Sequence, residues 1–173
     1  MAFSKRHPLN WTGTVESDSM LGDRQSFNVK DYATSQVAPP TQNSARCEAI
    51  FVLNKSGGTL AKGSLVLPSA TASYEFPFAV AGVASTGYYC GAVSPFIAAS
   101  TVANGAGFWL IVSGLTMLPY SGSGTILRGS FLETAATGRC TLRNTGVFCG
   151  IAHDPISSGD AGTLFWANLA PTC

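Results

Sequence analysis

Charge is scarce in this sequence, and unevenly so. From Arg46 to Cys173 only 11 of 128 residues are Asp, Glu, Lys or Arg, no lysine follows Lys62, and the one histidine is His153. Catalysis, metal binding and phosphate binding all draw on convergent titratable or cationic groups, and this stretch offers few. Net charge is +1 and no basic block occurs. A nucleic-acid binder concentrates Lys and Arg on one face or tail, so no nucleic-acid partner is expected. Apolar runs fall far short of the ~20 residues of a membrane span, and no basic amphipathic stripe is present, so neither is a membrane partner. Met1-Ala-Phe-Ser-Lys-Arg-His-Pro8 lacks an apolar signal core, so synthesis in a reducing cytoplasm is expected.

Cysteine pairs are missing too. Cys47, Cys90, Cys140, Cys149 and Cys173 include no CxxC, and the Cys140–Cys149 gap fits no zinc spacing. They read as buried thiols packed as small hydrophobes, with a disulfide closing after assembly as the alternative.

What remains is the grammar of an all-β protein. The apolar fraction is 46%, with 19 glycines, which suits a turn-rich sheet fold. From Cys47 onward strand signals recur every ~8–12 residues, as in a sandwich or barrel. Strands are expected at 49–54, 64–68, 76–83, 88–93, 108–113, 115–119, 125–127, 131–134, 139–142, 147–152 and 163–167, with Gly114 separating the fifth from the sixth. Lys62-Gly63 marks a reversal at positive φ. Ile111 and Val112 are expected to fill the core, and Trp109 to close one end of a barrel. The window 95–103 alone has weak helical character.

Residues 1–45 read differently. Lys5, Arg6, Arg24 and Lys30 balance Glu16, Asp18, Asp23 and Asp31, periodicity is absent, and 37–45 is a polar, Pro-containing linker. One reading is a solvated tail. The other is an extended, mostly irregular arm ordered on a partner, anchored by Phe3, Trp11, Met20, Leu21, Phe27 and Tyr32, since aromatic residues dominate interface cores. The expected organisation is therefore an arm over 1–45 and a single β-barrel or β-sandwich domain of short strands over 46–173.

Chemical sites are few. His153-Asp154 is the barrel's one His–carboxylate neighbour pair, but strand neighbours point to opposite faces and Pro155 suggests a turn. Ser121-Gly-Ser-Gly124 lacks the nucleophile-elbow pattern, and Ser56-Gly-Gly-Thr59 lacks a P-loop lysine. No catalytic, metal-ligating or cofactor-binding residue is expected, and no cofactor. Arg128, Arg139 and Arg143 form the basic cluster that could meet an acidic patch of a partner or keep one face solvated. Tyr88, Tyr89 and Phe96 could line a sugar site or belong to the core.

A resemblance rests on the order of turns and strands. Asn54-x-Ser-Gly-x-x-Leu60-x-Lys-Gly63-x-Leu-Val66 and Gly82-Val83 are followed by Gly107-Phe-Trp109-x-Ile-Val-x-Gly114. Then come Leu127-x-Gly129-x-Phe131-Leu132-x-Thr134-x-x-x-Gly138, Gly150-Ile-Ala152 and Gly162-Thr-Leu164-x-x-Ala167-x-Leu169. Over about residues 50–170 this resembles the small β-barrel decoration (cement, head-stabilising) proteins of tailed bacteriophages. The resemblance implies a structural virion protein on the capsid surface. It would bind the major capsid protein, form a homotrimer and use its arm for inter-subunit or capsid contacts. A jelly-roll capsid protein of a small virus and a glycan-binding adhesin or fibre module are the alternative readings.

Overall fold

A computed structural model describes residues 7–15, 20–32, 45–71, 74–85 and 87–171. The fold is all-β. Its strands are β1 (Thr12–Thr14), β2 (Arg24–Asn28), β3 (Arg46–Asn54), β4 (Leu60–Ala61), β5 (Leu65–Thr71), β6 (Tyr74–Val83) and β7 (Gly91–Val93). They continue as β8 (Thr101–Val102), β9 (Ala106–Pro119), β10 (Phe131–Ala135), β11 (Arg139–Leu142), β12 (Phe148–Ala152) and β13 (Leu164–Leu169).

Five strands close a ring. β3 pairs with β9, β9 with β7, β7 with β5, β5 with β6, and β6 returns to β3 through a short parallel contact, Leu53 with Ala79 and Asn54 with Val80. Its interior is apolar: Ile50, Val52, Leu60, Val66, Val80, Cys90, Val93, Ile97, Val102, Phe108 and Leu110 form one buried cluster. Asn54, fully buried, closes an end of it, donating to Gly58 O at 2.9 Å and Val102 O at 3.0 Å and accepting from Ser56 N at 3.0 Å. A buried amide is tolerated because its hydrogen bonds are made.

The long strand β9 joins this ring to a second set of strands. Residues 107–114 pair with β3, and 114–119 pair with β13, beyond which β12, β10 and β11 follow. A single strand thus runs where two were expected, with Gly114 inside it. The expected strand at 125–127 is reduced to a bridge, Ile126 with Ile156. Gly63 takes φ +79 as expected of Lys62-Gly63.

Two expectations need correction. Alternation along β9 sends Phe108 and Leu110 into the ring, so Trp109 and Ile111 lie on the outer face in the larger core. Trp109 therefore does not plug a barrel end. The window 95–103 forms turns leading into β8. Ile97 and Val102 both reach the ring interior, and a helix would place residues five apart about 140° from each other.

The expected division at residue 45 does not separate a bare arm from a domain. β2 pairs with β3 from Arg24 opposite Ile50 to Asn28 opposite Arg46, and β1 pairs with β9. Leu9, Met20, Leu21, Phe27 and Val29 are buried in the larger core. The physical reason is that β3 and β9 are apolar on both faces. Ala49, Phe51, Trp109 and Ile111 face outward from the ring and need a cover, which residues 7–15 and 20–32 provide. Stacked rings make that layer specific. His7 lies on Trp11 at 3.7 Å, Trp11 meets Phe51 at 5.6 Å, and Phe27 meets Trp109 edge-on at 4.9 Å. The indole N–H of Trp109 donates to His7 O at 3.0 Å.

Cys47, Cys90, Cys140 and Cys149 are buried thiols outside any disulfide; Cys173 lies outside the described residues. Burial, helped by Glu48 for Cys47 and by Glu133 for Cys149, pushes both thiols from 9.0 up to about 12. A raised folded-state value adds stability that is whole below pH 9 and lost as pH climbs towards 12. At pH 10.5 the loss is about 2 kcal/mol for each of the two thiols. The urea midpoint is therefore expected to fall steeply between pH 8.5 and 10.5, and to fall less in Cys149→Ala. Equal pH slopes in the two proteins would refute this account of the thiol.

Candidate functional site

Five of the six expected arm anchors lie within the described residues. Phe3 lies outside the described residues. Met20, Leu21 and Phe27 are buried, and Trp11 and Tyr32 pack against the same core. These five are engaged within their own chain and do not form a bare contact surface.

The three arginines do not converge on one partner. Arg128 lies 3.7 Å from Asp154, Arg143 sits 5.5 Å over the ring of Phe148, and Arg139 lies beside Gly162. One of them, Arg143, nevertheless borders an apolar feature. In the register of the second sheet Phe131 on β10 lies opposite Ile151 on β12, which lies opposite Asn168 on β13 and then Leu115 on β9. Opposed residues share a face. The row is buried at Leu115 and emerges towards β10, where Ile151 is 38% and Phe131 56% exposed. Phe148 meets Phe131 edge-on at 5.8 Å and extends the apolar surface beneath Arg143. Glu133, on the same strand, is occupied: its carboxylate accepts the backbone N–H of Asn144 at 2.8 Å and that of Gly146 at 2.5 Å. The bulge between Leu132 and Glu133 turns that carboxylate into the Asn144–Gly146 turn. The result is a small apolar face bordered by the exposed Arg143 guanidinium.

Alternation along 131–134 and 147–152 is legible in the sequence, but which face stays uncovered is not. Phe131 and Ile151 enter the sequence pattern as strand residues, and no sequence signal marked them or Phe148 as a contact face. Partner selection by such a face follows from shape, apolar area and charge at the rim.

The other candidates are dispersed. His153 Nδ1 lies 3.4 Å from Asp154 Oδ1. The pair meets because the chain has left β12 for a turn in which both backbone N–H groups donate to Trp166 O, so strand alternation does not apply. Asp154's other contact is Arg128. Among the described residues no three His, Cys, Asp or Glu side chains converge as metal ligands. Tyr88 is 82% exposed, but Tyr89 is buried with its hydroxyl donating to Cys149 O at 3.2 Å. Phe96 packs between Tyr32 and Trp166. The expected aromatic trio is thus one exposed ring and two core rings. Ser121-Gly-Ser-Gly124 is a loop held to the Gly159 turn.

No family model matches this chain, and no curated protein does. Among solved structures it is similar to one described as the head fiber gp8.5 N base in bacteriophage phi29. The sequences are 14% identical, with a TM-score of 0.46 over 70% of this chain and 92% of that one.

Proposed function

We propose that this chain is a structural virion protein of a tailed bacteriophage that decorates the head and stabilises it by binding the major capsid protein. The observation that carries this reading is the apolar face of exposed Phe131 and Ile151 and half-buried Phe148 beneath Arg143. Such a face suits an apolar partner surface bearing carboxylates. Its area is modest, so stabilisation would come from many copies, each adding a small contact, and a trimer would multiply it further. The capsid contact is assigned to this face rather than to the N-terminal anchors. The chain's sparse charge fits a surface covered by neighbours in an assembled particle.

The jelly-roll reading is less favoured because the strand order closes a five-membered ring with a parallel β3–β6 contact, unlike two Greek keys in facing sheets. The glycan reading loses two of its three aromatic residues to the core.

The test is co-sedimentation with shells assembled from the cognate major capsid protein. The native chain is expected to pellet with shells, and Phe131→Asp and Ile151→Asp, both at exposed positions, to remain in the supernatant. A native chain that stays in the supernatant at saturating shell concentration would overturn the reading.

A further inference from the structure

The connection between β2 and β3 is far longer than their pairing requires. Asn28 and Arg46 are register partners, yet the 17 residues 29–45 run between them. Antiparallel neighbours are commonly joined by about two to five. The 12 residues 33–44 hold Pro39-Pro40, no aromatic residue and one large aliphatic residue, Val37. Fully extended, a 12-residue stretch reaches ~40 Å, which is also the ~40 Å diameter expected of a domain of this length. The linker is therefore long enough to carry residues 7–32 to a neighbouring copy.

What residues 7–32 contribute is also transferable. Of these, residues 7–15 and 20–32 join the rest of the protein through sheet pairing on β3 and β9 and through one apolar layer. An identical second copy offers the same β3 edge, the same Phe51 and Trp109, and the same Trp109 indole for His7 O. The entropic cost of closing a connection grows with its length, so return to the chain's own β3 is less favoured across 17 residues than across about two to five.

We propose that residues 7–32 are exchanged between copies of this chain, β2 of one pairing with β3 of the next while Trp11 and Phe27 close over that copy's Phe51 and Trp109. This deepens the reading of the chain as a multi-copy structural protein and rests on it. Exchange links neighbours by strands and buried aromatic rings without any contact that the single chain does not already make.

The test uses Ser26 and Glu48, exposed register partners on β2 and β3. Directly opposed residues have Cα atoms about 4.5–5.5 Å apart, within disulfide reach. Full-length S26C and E48C chains with different tags are co-expressed, oxidised and run on a non-reducing gel. A covalent heterodimer is expected, and it should be absent when S26C is paired with S123C, whose loop is hydrogen-bonded to β11 and the Gly159 turn. If the double variant S26C/E48C closes only within its own chain and the co-expressed pair gives no heterodimer, exchange is overturned. Light scattering on the native chain separates the two levels. An oligomer without the heterodimer removes exchange and leaves the multi-copy reading intact. A monomer on shells and in solution, again without the heterodimer, removes both.

Discussion

Deleting residues 1–44 is expected to leave a chain that does not fold as a soluble monomer. The deletion removes Leu9, Met20, Leu21, Phe27 and Val29 from the core. At ~1.5–3 kcal/mol for each fully buried side chain, the loss is about 10 kcal/mol. Whole domains of this size are stable by only ~5–15 kcal/mol. The deletion also uncovers Phe51, Trp109 and Ile111, which are at most 1% exposed in the intact protein, and leaves the β3 edge without β2. A contiguous apolar patch beside an unpaired strand edge invites aggregation. Near-ultraviolet circular dichroism and sedimentation of the refolded fragment provide the check. A soluble fragment with the melting transition of the full chain would mean that 7–32 is dispensable, as a bare arm would be.

Gly114→Val is expected to be the most damaging single substitution in β9, at about 4 kcal/mol or more. Gly114 has φ +89, where a β-branched residue is an outlier. Its added Cβ would run into the carbonyl oxygen of Arg46 and lie 3.0 Å from Cys47 Cα. Both obstacles are backbone of the paired strand β3, so neither can rotate away. The same residue is where β9 passes from β3 to β13, opposite Cys47 on one and Leu169 on the other. Gly129→Ala separates the two causes: φ is +84 there but nothing lies within 4 Å of the added atom. That substitution should cost only the conformational strain, about 1–2 kcal/mol. Urea denaturation of both variants measures the difference, and equal losses would show that the clash at Gly114 is relieved by movement of β3.

Most strands were legible because their signals are local. Turn residues such as Lys62-Gly63 and Asn144-Thr145-Gly146 bracket short β-branched runs, and backbone conformation answers to neighbours in sequence. The burial of four thiols was expected from residue type, free cysteine being among the most often buried side chains. Gly114 was misread by the same logic. Glycine in an apolar run signals a break, yet here it lets one strand change partners, and the partners are ~65 and ~55 residues away in the chain.

By itself, then, the sequence determined the all-β class, the positions of most strands and a chain poor in the groups that chemistry needs. Only the tertiary structure decided the rest. Trp11, Met20, Leu21, Phe27 and Tyr32 look alike in sequence whether they await a partner or cover their own β3 and β9, and the choice depends on which apolar face lies uncovered once the ring has closed. The same holds for Phe131, Phe148 and Ile151. Their partial exposure depends on β10 and β12 lying towards the end of a sheet, where among the described residues Arg143 lies over Phe148 while Phe131 and Ile151 stay exposed. Burial depends on what lies across space from a residue, and no local pattern encodes it.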